Sequence, residues 1–337
     1  MRPFSGGLGV SPIFNAMLTR QLSRSWAKLA IEMQHGPIEI PRDLVDNQLR
    51  YHGEAGRRWL DQLPTLAQSI AGRWDLSLEP AFPNGFSDYV APVRKADHSP
   101  AVLKLCFIDA EFFSQEAALR AYDGRAAVRL LKADLDSGAL LLERLEPGES
   151  LSVLHDDAAE MHVAAAVMQQ LWQAKPGDAG LLRLDPWLDE ANLPDALPLH
   201  KRSMPWVSKA LARAAELIAE LTDYRVLHGD LHHYNILSSQ RGWLAIDPKG
   251  ILGDPAWELA PLLFNNLDAA GRDWPRVMRR RIDQLCDEIP LDRERAYALS
   301  AARCLQSRFW SLRDDSIPSH DFIARCLDCA EELSKGP

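Results

Sequence analysis

Two neighbouring stretches decide how this chain is read: HGDLHHYNIL (228–237) and WLAIDPKGILGDPAWELA (243–260). Both are dense in polar side chains and bounded by short apolar, β-rich runs. RVLH (225–228) reads as a strand leading in, while NIL (235–237) and WLAID (243–247) pair across the turn SSQRG (238–242). Asp230 and Asn235 are then five residues apart in an irregular segment, and Asp247 ends a strand twelve residues later. Two oxygen ligands and a separate carboxylate are what phosphoryl transfer from Mg-ATP requires. Mg2+ takes hard oxygen ligands, commonly one or two from the protein, and another carboxylate orients the attacking hydroxyl. The spacing D-x-x-x-x-N, then D after a strand, is that of a protein-kinase-like catalytic loop and its metal aspartate. Here H-G-D stands for H-R-D, and D-P-K for D-F-G.

Simpler readings compete for some of these residues. A single Asp or Asn in a turn is ordinarily an Asx turn or a helix cap. Asp254 fits that role, because Pro255 behind it suits the first position of a helix from Ala256. Asp230, Asn235 and Asp247 at these spacings do not. His228, Asp230, His232 and His233 offer a rival hydrolase metal set, but that set leaves Asn235 and Asp247 unexplained. His228 reads better as a loop-stabilising residue bonded to backbone or carboxylate. Lys249 carries no assigned role.

A nucleotide side is legible upstream. DYVAPV (88–93), AVLKLCF (101–107) and GALLLERL (138–145) read as strands, and 111–132 as one or two helices, together a small α+β unit. A kinase of this type needs a strand lysine on the phosphates and an acid on the next helix to hold that lysine. Lys104 is an isolated charge in an apolar strand, so it needs a partner. Glu116 is the first candidate and Glu111 the second; the alternative is an edge-strand lysine turned to water. Gly85 lies in a turn where a phosphate-covering loop belongs. The backbone from Glu143 to Leu145 is placed to bond adenine. No P-loop, dinucleotide fingerprint, H-E-x-x-H or G-x-S-x-G occurs.

Composition sets the class. The 337 residues are 47% hydrophobic and 25% charged, which excludes disordered and fibrous chains, and no apolar run is long enough to span a membrane. The formal net charge of −9 argues against nucleic acid as a partner. Residues 1–31 carry Arg2, Arg20, Arg24 and Lys28 and no acid, so the remainder is −13. Five cysteines are too few for a disulfide framework and fit the cytoplasm. Cys106 reads as a buried strand thiol, and Cys326 and Cys329 as core positions of a last helix. Residues 41–78 read as helical, with Pro64 opening a second helix. After EPGES (146–150) the period is helical apart from the strands above, with a proline-rich insert at 175–205.

HGDLHHYNIL, IDPKG (246–250) and GDPAWELAPLL (253–263) together resemble the aminoglycoside phosphotransferases, and most of all their streptomycin 6-phosphotransferase and hydroxyurea phosphotransferase branch. LVDNQLRYHGEAGRRWLDQLPTLAQSIAGRW (44–74), DGRAAVRLL (123–131) and ALLLERLEPGESL (139–151) resemble that branch too, so the likeness spans about residues 38–335. The resemblance implies an α+β, bilobal protein-kinase-like fold using ATP and Mg2+. By match to the motif it makes Asp230 the catalytic aspartate, Asn235 and Asp247 the magnesium ligands, and Lys104 the phosphate lysine. It implies three segments: an extension with no fixed order at 1–37, a nucleotide lobe with leading helices at 38–147, and a helical catalytic and acceptor lobe at 148–337. The acceptor would be a hydroxyl of a small molecule such as streptomycin, whose positive charge suits the acidic body, or hydroxyurea. Glu258, Trp310, Asp314 and Asp315 are acceptor-lining candidates by acid and aromatic character alone. Rival functions are a kinase of a metabolite alcohol or sugar and a nucleotide-binding regulator without transfer.

Overall fold

The computed structural model describes residues 38–83, 87–177, 180–185, 205–267, 273–313 and 320–337. The expected extension at 1–37, Gly85 and most of the proline-rich insert lie outside them. Helix α1 (Arg42–Trp74) leads in. It is broken at Gly53, where φ is +54°, and stays helical through Pro64. A positive φ is open to glycine without a Cβ clash, so the direction changes there and not at the proline.

Strands β1 (Ser77–Leu78), β2 (Tyr89–Arg94) and β3 (Pro100–Leu105) follow, then helix α2 (Ala110–Tyr122), β4 (Leu130–Asp134) and β5 (Ala139–Glu143). They form one antiparallel sheet in the order β1-β2-β3-β5-β4. Side chains alternate across β3. Ala101, Leu103 and Leu105 pack with α1 residues Leu44, Leu63, Ala67 and Ile70. On the opposite face Cys106 packs with Phe112 and Leu119 of α2 and Leu140 and Leu142 of β5. The helix expected over 111–132 ends at Tyr122, and Leu130–Asp134 is a strand instead. Local preference for helix in RLLKAD gives way to pairing with β5, which completes the sheet beyond its short turn.

Beyond the sheet come β6 (Pro147–Ser150), α3 (Asp157–Leu171), β7 (Leu182–Arg183), α4 (Pro205–Ala219), β8 (Arg225–Leu227), β9 (Ile236–Ser239), β10 (Gly242–Ala245), β11 (Ile251–Gly253), α5 (Ala260–Phe264), α6 (Trp274–Glu288), α7 (Arg293–Arg313) and α8 (His320–Leu333). β10-β9-β6 and β7-β11-β8 make two small sheets. The expected hairpin forms, with Trp243 opposite Ser238. Met161, Ala164, Met168 and Leu171 of α3 and Val207, Ala210, Leu211 and Ala214 of α4 enter one large core with Trp257 and Leu263. Cys304, Cys326 and Cys329 are buried in it, as packing side chains. No helix among the described residues is long and apolar enough to cross a membrane.

One junction joins the first sheet's helix to the polar loops. Ser114 Oγ of α2 donates to Gly250 O and accepts from Leu182 N at 2.8 Å. Gly250 has φ +73°, and a Cβ there would lie 2.2 Å from Ser114 O. Glycine is thus required both by its backbone angle and by the close approach of α2. Gly250→Ala is expected to destabilise the fold by about 2–4 kcal/mol, read from urea unfolding. An unchanged midpoint would show that α2 is not seated on this turn.

Candidate active site

Strand β8 delivers the chain into the segment 228–235 with two buried charges beneath it. Glu258 is 1% exposed, and its carboxylate accepts from His228 N at 2.6 Å and Gly229 N at 2.9 Å. Arg303 of α7 donates to Gly229 O at 3.1 Å. Gly229 is therefore gripped at both its N–H and its C=O, one residue before Asp230. Its φ is +85°, and a Cβ would collide with Ile251 at 2.6 Å. Burial is the leading influence on Glu258 and raises its pKa to about 7, against backbone N–H bonds and Arg303, which lower it. Glu258 was expected to line an acceptor site. It is a buried brace of the loop, and the apolar run around it (AWELAPLL) is what carries it inside.

The histidines hold the loop's shape. His228 Nε2 is 2.7 Å from Ile246 O, and its Nδ1 accepts from Asp230 N at 3.3 Å. Burial lowers its pKa to about 4, so it is the neutral tautomer that spans these two bonds. His232 Nδ1 accepts from Tyr234 N at 3.2 Å, capping a short turn. His233 is buried against Glu160 at 3.3 Å. The rings point to separate partners, so the rival four-residue metal set is not assembled.

Asn235 and Asp247 converge on the same loop. Asn235 Nδ2 donates to Asp230 O at 3.0 Å, which leaves Oδ1 as the free end of the amide for a cation. Ile246 N donates to Asn235 O at 2.9 Å, tying the two strands together just before Asp247. Asp247 takes φ +60°, an uncommon backbone for a non-glycine residue and one that turns its carboxylate out of the β10 direction. An amide oxygen and a carboxylate are hard donors. Among the described residues no three or more His, Cys, Asp or Glu gather as a metal cage. A pair of oxygen ligands, with phosphates and water completing the shell, is the habit of Mg2+. The donor set fits that ion.

Lys104 is 4% exposed on central strand β3, so the edge-strand alternative does not hold. Its Nζ bonds Asp247 Oδ1, lies 3.0 Å from Asp88 Oδ2 and donates to Gln115 Oε1 at 2.8 Å. Gln115 Nε2 also reaches Asp247 Oδ1 at 3.2 Å. Burial works against the lysine's charge, yet Asp247 and then Asp88 hold its pKa well above the ordinary value. Asp247 is correspondingly lowered, despite burial, by Lys104. The expected partner Glu116 is not there: it pairs with Arg120 one turn along α2. Successive helix residues are rotated by about 100°, so when Gln115 faces Lys104, Glu116 cannot. Glu111 meets Lys249 instead, at 2.7 Å.

The backbone expected to bond adenine, from Glu143 to Leu145, loses one donor. The Glu143 N–H is committed to Arg129 O at 2.9 Å and its carboxylate to Arg241, with Nε at 3.2 Å. It closes the end of the sheet and cannot offer that N–H to a base; Leu145, partly buried beside Leu140 and Cys106, lies beyond it. The Trp310 side chain, Asp314 and Asp315 lie outside the described residues. The sequence reading missed Asp88, Gln115 and Arg303. Asp88 stands one residue before β2 in a segment held to α1 by Gln48 Nε2 on Ser87 O at 2.7 Å. Only its place at the mouth of that strand could have signalled it.

A family model described as aminoglycoside/hydroxyurea antibiotic resistance kinase matches residues 73–315. A streptomycin 6-kinase of Streptomyces glaucescens is 38% identical over 83% of this chain and 92% of its own length. A hydroxyurea phosphotransferase of Kitasatospora aureofaciens is 39% identical over 83% of this chain and 82% of its own. Among solved structures, a choline kinase from Streptococcus pneumoniae superposes with a TM-score of 0.59 at 16% identity, covering 82% of this chain and 99% of that one. At that identity the likeness is one of fold, and the fold is protein-kinase-like.

Glu258 generates a pH prediction. Its folded pKa of about 7 lies above the ordinary 4.5, so between these values the folded state holds a proton that the unfolded state has released. The stability this proton supplies is complete below the ordinary value and lost as pH rises through about 7, on the order of 3 kcal/mol in all. Glu258→Gln, which cannot ionise, should show a flatter stability profile than the parent between pH 5 and 8 in urea titrations. Parallel profiles would refute the assignment.

Proposed function

This chain belongs to the aminoglycoside/hydroxyurea antibiotic resistance kinase family, and on that premise we propose that it moves the γ-phosphoryl of ATP to a hydroxyl of a small molecule, with Mg2+ as the metal. The observation that carries the proposal is the meeting of Lys104 from β3, Asp247 after β10 and the braced Asp230–Asn235 loop. Asp230 orients the acceptor hydroxyl and takes its proton. Lys104 neutralises phosphate oxygens, and its pairing with Asp88 and Asp247 supports a retained charge there. Asn235 and Asp247 hold the magnesium, which supplies charge neutralisation for the transferring group. Catalysis of this kind is mainly positioning and charge stabilisation, which suits a loop gripped through its backbone. Adenine would rest at the connection near Leu145.

The acceptor we propose is a cationic aminoglycoside of the streptomycin type, with hydroxyurea the second choice. The relatives' names and the acidic body of the chain support it. The five cysteines form no disulfide, which supports a reducing cytoplasm. Neither nucleic acid nor membrane is a proposed partner. Purified protein with Mg-ATP, offered streptomycin, other aminoglycosides, hydroxyurea and sugars, should add one phosphoryl mass to an aminoglycoside. A gain only on a sugar would reassign it to metabolite phosphorylation, and no gain on any compound would favour a regulator. Asp230→Asn should lower transfer by roughly a thousandfold or more while ATP binding stays within a few-fold. Near-parental turnover in that variant would remove Asp230 from the role.

A further inference from the structure

Lys249 lies in the turn that follows the metal aspartate, and nothing above uses its charge. The turn is rigid: the N–H groups of Lys249 and Gly250 both donate to His228 O, at 2.7 and 3.2 Å, and Gly250 O is held by Ser114. The side chain reaches from this turn to Glu111 in the first turn of α2. Its electrostatic neighbours are Glu111, Asp230 and Asp247. A single ammonium thus stands among three carboxylates from three segments. Two of them are the proposed proton acceptor and a proposed metal ligand.

The charge balance of the site asks for such a group. Lys104 must divide its charge between the phosphates and the carboxylates of Asp88 and Asp247. Between Asp230 and Asn235 the loop has Leu231, His232, His233 and Tyr234, with no permanent cation. Arg303 is buried behind the loop on Gly229 O. In phosphoryl transfer the acceptor oxygen bonds to γ-phosphorus as the bond to the bridging oxygen of ADP breaks, and the hydroxyl proton passes to Asp230. Negative charge on the γ-phosphoryl oxygens must be met by donors on the protein side. The side chain of Lys249 is about one-quarter exposed and its Glu111 partner about half exposed, so the pair is open to exchange for a stronger anion.

Resting on the phosphotransferase reading above, we infer that Lys249 is a second phosphate-binding cation, held by Glu111 until nucleotide binds and then transferred to the γ-phosphoryl oxygens. Glu111 is then a holding site that keeps the ammonium in place and competes with the nucleotide for it.

The test is calorimetric binding of Mg-AMP-PNP and Mg-ADP to the full chain, which reads the γ-phosphoryl separately from the rest of the nucleotide. Lys249→Met should weaken Mg-AMP-PNP roughly ten- to a hundredfold, the worth of one charge-assisted hydrogen bond, and leave Mg-ADP within about twofold. Glu111→Gln should tighten Mg-AMP-PNP about two- to fivefold, because the competitor is gone. Lys249→Arg should keep much of the preference for the triphosphate analogue. Thermal unfolding of each variant establishes that it is folded. A merely structural ion pair predicts another pattern, since either single variant breaks it and both must then act in the same direction. Equal losses for the two nucleotides in Lys249→Met, or the same sign for Lys249→Met and Glu111→Gln, would overturn the inference while leaving the phosphotransferase reading standing. If the parent chain binds neither nucleotide, both fall together.

Discussion

A lysine in the middle of a sheet stays charged only if carboxylates follow it inside. Lys104 imposes that condition on this molecule. It lies on the central strand of the first sheet, and the groups that answer it come from three other segments: Asp88 before β2, Gln115 on α2 and, 143 residues along the chain, Asp247 after β10. Desolvation of an unpaired ammonium there would cost several kcal/mol, so the sheet, the helix and the distant loop are held in one arrangement.

The polar loops are positioned chiefly through their backbone. Glu258 and Arg303 hold Gly229 from two sides, His228 spans Asp230 N and Ile246 O, and Asn235 reaches back to Asp230 O. None of these contacts uses the Asp230 carboxylate. The Asp230 carboxylate is thus left out of these bonds while its neighbours hold the loop. The two buried charges beneath the loop are costly to desolvate, and they are tolerated because each ends on fixed backbone dipoles.

Helix α2 joins these two systems. Glu111, Ser114 and Gln115 lie on one face, and they meet Lys249, Gly250 and Asp247 in turn. Ser114 and Gln115 lie three and four residues beyond Glu111, the positions that share its face of a helix. The segment after Asp247 cannot move without disturbing that face, and Gly250 is the residue that lets the two backbones come so close.

Much of this was legible in the residues alone. Asp230, Asn235 and Asp247 stood out because polar groups at fixed spacings between apolar strands are hard to explain otherwise, and the hairpin, the strand bearing Lys104 and the two buried helical stripes followed from period and turn chemistry. What local pattern could not decide was which residues face each other. Glu116 has the right chemistry to hold Lys104, but its neighbour Gln115 owns the facing direction on α2. Glu258 reads as an acid near the site, yet it lies under the loop because apolar neighbours draw it inward. LLKAD looks helical until β5 supplies a partner, and Pro64 looks like a break until Gly53 makes the turn. Residue type and spacing are properties of the chain, so the chemistry and the order of the parts could be read from the residues. The pairings came with the fold, because a buried charge selects its partner by rotation and distance across it.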